Sequence, residues 1–255
     1  MKFIYIVLII IAWSSAELET WDTIEIKNRN VNINKLVDRF NPAIVQIINK
    51  YGLDPLKLPQ TEQKLWTEDP NFSEPMIYKA DLVLHSGILN GLSILKRHNN
   101  ATLTYIDKLL KMDIGFEFEL LKGRYDYIVK LVFQNIRGRI KALAENIRAV
   151  INITFNTTNY TLVLNKFDLQ VPSRIKVTVE NKDGSIDWIN TIIVNIIAPF
   201  FKETITSTVR KEASNAIQTY FNEINHKIAP RKTSAQILNQ LLNQSITNGH
   251  QMCIR

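Results

Sequence analysis

Between Trp188 and Ile228 the chain runs WINTIIVNIIAPFFKETITSTVRKEASNAIQTYFNEINHKI, without a glycine and with Pro199 as its one proline. Its apolar residues fall at Ile189, Ile192, Ile193, Ile196, Phe200, Ile205, Val209, Ala213, Ile217, Phe221 and Ile224. The steps are mostly three, four or five, which marks one face of an α-helix. Forty residues at 1.5 Å each make a rod of about 60 Å, whereas a compact domain of roughly 210 residues has a radius of gyration near 17 Å. Two outcomes remain open. The helix breaks at Ala198-Pro199, where the ring removes a donor and clashes with the preceding turn, or the domain is elongated and wraps along it.

The partner for such a helix is sought in the rest of the chain. From Asn32 a second amphipathic stretch, NINKLVDRFNPAIVQIINKYG, carries Leu36, Val37, Phe40, Ile44, Ile47, Ile48 and Tyr51 on one side and stops at Gly52. Pro42 is expected to kink it. GLDPLKLPQ then reads as an extended connector, because the residue before each proline avoids the helical region. The polar segment Glu17 to Asn30 reads as a leader.

From about Ile77 the period falls to two, the mark of half-buried antiparallel strands. Ala80, Leu82 and Leu84 alternate with Lys79, Asp81 and His85, and Ile114, Phe116, Phe118 and Leu120 with Asp113, Gly115, Glu117 and Glu119. Lys122-Gly123-Arg124 reads as a turn, after which Tyr125, Tyr127, Val129, Leu131 and Phe133 continue inward, giving a hairpin over residues 113–134. A further strand starts at Ile140, Ala142 and Ala144 but resumes one residue out of phase at Ile147, Ala149, Ile151, Ile153 and Phe155, which predicts a bulge near Glu145. Leu162, Leu164, Ile175, Val177 and Val179 supply the last strands. Five or six long strands with one apolar face need a cover, and two amphipathic helices provide it. The expected fold is α+β, a curved antiparallel sheet wrapped around a long C-terminal helix, with an N-terminal amphipathic helix.

The first residues, MKFIYIVLIIIAWSSA, combine Lys2, an apolar run and small residues at Ser14 and Ala16, the pattern of a secretory signal peptide. The run is about half the 20 residues a membrane span needs. The expected organisation is therefore a signal over 1–16, one domain over 17–228 and a C-terminal extension over 229–255. Sequons at Asn71, Asn100, Asn152, Asn156, Asn159 and Asn243 suit a secreted glycoprotein. Cys253 is the single cysteine, so no intramolecular disulfide can form and the core must supply the stability. The formal charge of +7, less Lys2 after cleavage, favours acidic partners such as anionic lipid, lipopolysaccharide or glycosaminoglycan.

Three stretches together resemble a known family: the NINKLVDRF helix leading to GLDPLKLP, the strand RGRIKALAENIRAVINI, and the final helix with TVRKEASNAIQTYFNEIN. Over roughly residues 30–225 the chain resembles the group 7 mite allergens of arthropods and, more distantly, the takeout and juvenile-hormone-binding proteins, all of the tubular lipid-binding superfamily. Takeout-type proteins carry a pair of N-terminal cysteines that is missing here, which points to the group 7 branch.

The resemblance implies a small hydrophobic ligand, a lipid, fatty acid or terpenoid, held between helix and sheet. The candidates for its pocket are Leu36, Phe40, Ile44 and Ile48 on the first helix, Ile192, Ile196 and Phe200 on the last, and Phe116, Phe118, Leu131 and Phe133 on the sheet. An alternative is a surface binder of anionic lipid or lipopolysaccharide acting through Lys122, Arg124, Arg137, Arg139 and Lys141, gathered around two successive turns. His85, His98, His226 and His250 each stand alone, and the chain has no H-E-x-x-H, G-x-S-x-G, Walker or G-x-G-x-x-G sequence. No enzyme, metal, cofactor or nucleic-acid partner is expected, nor a transmembrane segment in the mature chain, and the protein is expected to be a monomer or weak dimer.

Overall fold

The computed structural model describes residues 29–64, 80–171, 175–181 and 187–228, of which Arg29, residues 187–192 and Ile196 are described by backbone alone. The expected signal peptide and C-terminal extension, with Cys253, lie outside these residues, as do Asn71 and Asn243.

A short strand β1 (Arg29–Asn32) leads into helix α1 (Asn34–Lys50). The Asn32 Oδ1 accepts the Asn34 N–H at 2.9 Å at its start. At its end Gly52 takes φ +66°, and the Leu53 N–H donates to the Ile48 carbonyl at 2.9 Å, so the residue expected to stop the helix does so. Pro42 lies inside α1, which continues through it. Then come β2 (Leu56–Lys57), β3 (Thr61–Lys64), β4 (Ala80–Asn90), β5 (Leu95–Ile106), β6 (Leu109–Leu131), β7 (Asn135–Asn156), β8 (Thr161–Gln170) and β9 (Lys176–Asn181). The chain ends, as far as described, in α2 (Asp187–Ile228), an unbroken helix of 42 residues with Pro199 inside. Of the two outcomes left open, the structure takes the second. A 42-residue helix runs about 63 Å at 1.5 Å per residue.

The described strands form one antiparallel sheet of nine. Its spine is the β6–β7 pair, in register from Leu109↔Asn156 to Lys130↔Asn135. Each flank divides: β6 pairs β5 along its first half and β4 along its second, while β7 pairs β9 along its first half and β8 along its second. β1 extends the β5 edge, and β2 and β3 line β4. The segments expected to be leader and connector thus contribute to two short strands, the start of β1 and the whole of β2, and β3 follows the connector directly.

The expected hairpin over 113–134 is not formed. β6 runs through Lys122-Gly123-Arg124 as one strand of 23 residues, and the turn falls at Val132–Gln134, closed by the Leu131 N–H on the Gln134 carbonyl at 2.9 Å. Gly123 is there because the Phe201 ring occupies the space a Cβ would take. Phe133 accordingly leaves the inward series: it lies in the turn and is 84% exposed.

The phase change on β7 is where it was expected, with Asn146 at φ +55°, but the bulge expected near Glu145 is not formed in the β6–β7 pairing. The phase change does not shift the pairing, because both β6 and β7 miss one inward turn. Phe118 and Leu121 are buried on β6, and Ala144 and Ile147 on β7, with two residues between each pair, so the registers on either side agree.

α2 covers the inner face. Ile193, Ile197, Phe201, Ile205, Val209, Ala213 and Ala216 join the main core cluster, and Phe221 and Ile224 join Leu110, Phe155 and Leu162 in a second cluster at the far end. The spacing named Phe200, but Phe201 is the fully buried ring and Phe200 is half-buried. Asn225 replaces a strand partner at the β8 edge: its Oδ1 accepts the Leu162 N–H at 2.7 Å and its Nδ2 donates to the Leu162 carbonyl at 2.9 Å.

Candidate ligand cavity

Where α1 and α2 meet over the first half of β6 and the second half of β7, side chains do not fill the space. A partly open cavity of about 160 Å³ remains, lined without polar surface. Its α1 wall is Ile44, Ile47 and Ile48; the sheet contributes Ile114, Phe116 and Phe118 from β6, Ala149, Ile151 and Ile153 from β7, and Phe167 from β8. On α2, Val209, Ala213, Ala216, Ile217, Tyr220 and Phe221 close it. The cause lies in three small side chains. Ala213 and Ala216 face the sheet one turn apart on α2, and Ala149 faces them from the lining of β7, so an inward series of large residues is interrupted on both sides.

The remaining wall comes from Leu53 and Leu56 beyond α1 and from Leu92 and Leu95 around the β4–β5 turn. One carboxylate ties these two segments. Asp54 accepts from the Gly91 N–H at 3.1 Å, the Ser93 N–H at 2.8 Å and the Ser93 hydroxyl at 2.5 Å. Gly91 stands at φ +106° with the Leu120 carbonyl where a Cβ would lie, so the turn admits only glycine there.

At one side of the cavity the helices are joined by polar groups. The Lys50 Nζ lies 3.0 Å from the Glu223 Oε2, the Tyr51 hydroxyl donates to the Glu223 Oε1 at 2.8 Å, and the Tyr51 and Tyr220 rings meet edge to face at 6.5 Å. Hydrogen bonds from Lys50 and Tyr51 hold the Glu223 carboxyl below the usual carboxylate range. Burial, with Tyr51 and Glu223 adding to it, pushes the Tyr220 hydroxyl up to about 12, so it stays neutral at physiological pH.

Of the residues predicted for the pocket, Ile44, Ile48, Phe116 and Phe118 line this cavity. Leu36 and Leu131 pack against the main core instead, and Phe200 does so beside Tyr125, its ring 6.2 Å from the tyrosine. Phe40 is half-buried outside the lining, Phe133 is exposed in its turn, and the side chains of Ile192 and Ile196 lie outside the described residues. Sequence reasoning missed the alanines, Tyr220 and the Asp54 clamp.

The five predicted basic residues do not surround two turns; they stand on adjacent outer positions of β6 and β7. Arg124 is directly across from Lys141. Lys141 is drawn to Glu180 at 2.5 Å and Arg139 to Asp126 at 3.1 Å, while Lys122 and Arg137 are exposed. Among the sequons, Asn100 and Asn159 are exposed. Asn152 is half-buried with its Nδ2 donating to Asp113 across the strands, and the half-buried Asn156 accepts the Thr158 N–H at 2.8 Å within the β7–β8 turn.

The model of the Group 7 allergen family matches residues 32–221, from the end of β1 to the part of α2 that closes the cavity. The chain belongs to the Group 7 allergen family. No curated protein sequence matches it. Among solved structures, it is similar to a lipopolysaccharide binding protein, with a TM-score of 0.53 at 10% identity, over 74% of this chain and 39% of that one. The chain therefore spans about two fifths of that protein's length. It is also similar to Takeout 1 of Epiphyas postvittana, with a TM-score of 0.42 at 12% identity, over 78% of this chain and 91% of that one. At this identity the first similarity speaks for the fold alone: a large antiparallel sheet with a long C-terminal helix and a shorter N-terminal one.

Proposed function

We propose that this protein is a secreted carrier that holds an apolar or amphipathic small molecule, a lipid, fatty acid or terpenoid, in the cavity between α1, α2 and the sheet. The supporting observation is a cavity with a wholly apolar lining inside a chain that otherwise buries its large side chains tightly. An apolar cavity of roughly 150 Å³ stays dry and accepts a benzene-sized molecule. The space thus suits one ring or a short run of acyl chain, and a longer ligand must extend towards the partly open side. Tyr51, Lys50 and Glu223, joined beside the lining residue Tyr220, are polar groups at hand for a head group. Among the described lining residues Tyr220 is the only one with a titratable group, which suits binding better than acid–base or nucleophilic chemistry. Secretion rests on the signal-like N-terminus and the sequons.

The test is organic extraction of protein purified from its native host, with mass spectrometry, beside titration of the delipidated protein with a fluorescent fatty-acid probe. The expected result is one recovered ligand class near stoichiometry and one-site saturation whose affinity hardly changes between about 0.05 and 0.5 M salt, since exposed charge attraction fades over that range. Failure of the probe to saturate, together with an empty extract, would overturn the reading.

A further inference from the structure

The groove between α1 and α2 is apolar and incompletely covered. Ile44, Ile47 and Ile48 on α1 and Ile217 and Tyr220 on α2 line the cavity and are only half-buried, whereas Phe116, Phe118 and Ala149 on the sheet beneath them are buried. Val37 is the one fully buried residue along α1, although a helix with such an apolar stripe ordinarily buries most of it. α2 ends at Ile228, itself half-buried, little more than one turn beyond the Glu223 that joins α2 to Lys50 and Tyr51.

The chain continues from that point, and its sequence supplies what the groove lacks. Pro230 stands two positions after Ile228, where its ring opposes continuation of the helix. The segment Ser234 to Ile246 reads SAQILNQLLNQSI. At 100° per residue Ile237, Leu238, Leu241, Leu242 and Ile246 fall on one half of a helical wheel, and Gln236, Asn239, Gln240, Asn243 and Gln244 on the other. Thr233 to Gly249 carries no charged side chain, which suits an apolar groove. A helix of this length is marginal in water by itself, so its stripe needs a surface.

From this match we infer that residues 234–246 are the partner of the groove: the chain turns back at Pro230 and lays Ile237, Leu238, Leu241, Leu242 and Ile246 between α1 and α2, over the open side of the cavity. The reach agrees. Ala229 to Thr233 can span up to about 17 Å, and Ser234 to Ile246 makes about 20 Å of helix. The stretch of α2 from Ala216 to Ile228 is equally long and carries the half-buried Ile217 and Tyr220. The sequon residue Asn243 falls on the polar half, so a glycan there would point away from the groove. The consequence for ligand rests on the carrier reading: entry requires the segment to lift, so association is slowed by the fraction of time the groove is open.

The experiment is hydrogen exchange with mass spectrometry on the full mature chain without ligand, beside the kinetics of fatty-acid probe binding. Wild type, Leu238→Ser with Leu241→Ser, Ile47→Ser and Phe133→Ser are compared. In wild type the amides of residues 237–246 should exchange about tenfold or more slower than in the double Leu variant, and equally at protein concentrations about tenfold apart. Ile47→Ser, on the α1 side of the groove, should release the same amides. Phe133→Ser, a change at the 84% exposed residue of the β6–β7 turn, should leave them protected. The probe should associate about tenfold or more faster with the double Leu variant, whose thermal melt should match wild type. Exchange reads the contact and the probe reads the carrier: protected amides with a probe that never binds would remove the carrier reading and still support the docking. Unprotected amides in wild type, protection that survives Ile47→Ser, protection lost on dilution because a second copy is the partner, or a probe that associates no faster with the double Leu variant would each overturn the proposal.

Discussion

The ring of Phe201 on α2 lies against the bare Cα of Gly123 on β6, in the space that a side chain at position 123 would need. Tyr125, two positions along the same strand, meets the Phe201 ring edge to face at 5.5 Å and sends its hydroxyl to the Pro59 carbonyl at 2.7 Å. One glycine thus lets a long helix seat a fully buried ring against the middle of a strand, where glycine otherwise weakens pairing.

Gly123→Ala should therefore cost about 1–3 kcal/mol, the usual penalty for forcing a methyl into a filled core. Thermal or urea melts measure it. In a Phe201→Leu background, where the ring is gone, the same substitution should cost clearly less. A cost independent of residue 201 would show that strand pairing, and not the ring, requires the glycine.

Gly123 also explains what was and was not legible in the sequence. Lys122-Gly123-Arg124 has the composition of a turn, and a local reading has no means of seeing a ring from α2, some 80 positions later. The helices, the strand alternation and the phase change at Asn146 were legible because each is periodic within its own segment. Alternation could not show where β6 stops, so the inward series was carried one step too far, onto Phe133. Periodicity also tells which residues face inward and not whether they fill the space. Ile44, Ile48, Phe116 and Phe118 line the cavity, while Leu36, Leu131 and Phe200, equally apolar, pack against the core. The signal that could have separated them is the coincidence of Ala213 and Ala216 on one strip of α2.

That strip gives the second prediction. Ala213→Leu and Ala216→Leu place methyl groups into open space, so the melting temperature should hold or rise, as cavity filling commonly gives, while the fatty-acid probe should lose about tenfold or more in affinity. In a close-packed core the same change would cost about 1–3 kcal/mol. Destabilised variants with intact probe binding would place the ligand elsewhere.

A third prediction concerns the clamp. Asp54→Ala leaves the Gly91 and Ser93 amides without their acceptor, which should cost about 1–3 kcal/mol in urea unfolding. Leu92 and Leu95 share that turn and the cavity lining, so the probe should also dissociate faster. Asp54→Asn keeps the shape with one acceptor oxygen in place of two and should fall between. A stability loss with unchanged probe kinetics would mean that the clamp supports the fold and not the cavity wall.

The junction of the two helices makes the last prediction, which depends on pH. Glu223 is held below its ordinary value of 4.5, first by the Lys50 hydrogen bond and then by that of Tyr51. A carboxyl whose folded value is lowered binds protons less readily in the native state, so its contribution is present above the unfolded value and disappears as pH falls through the folded one. The difference in urea midpoint between wild type and Glu223→Gln should therefore be measurable at about pH 7 and close towards about pH 3. At the other end of the scale Tyr220 titrates near 12, chiefly through burial, with Tyr51 and Glu223 adding to the shift. Its proton is held more tightly in the native state than in the unfolded chain, so its contribution is intact below about pH 10 and is lost as pH rises from there through the folded value. In Glu223→Gln the Tyr220 phenolate should appear at lower pH in a titration followed by its ultraviolet absorbance, because a repelling charge has been removed. A midpoint gap that stays the same at both acid and neutral pH, with an unmoved phenolate, would show that Glu223 joins α1 to α2 by packing and not by its charge.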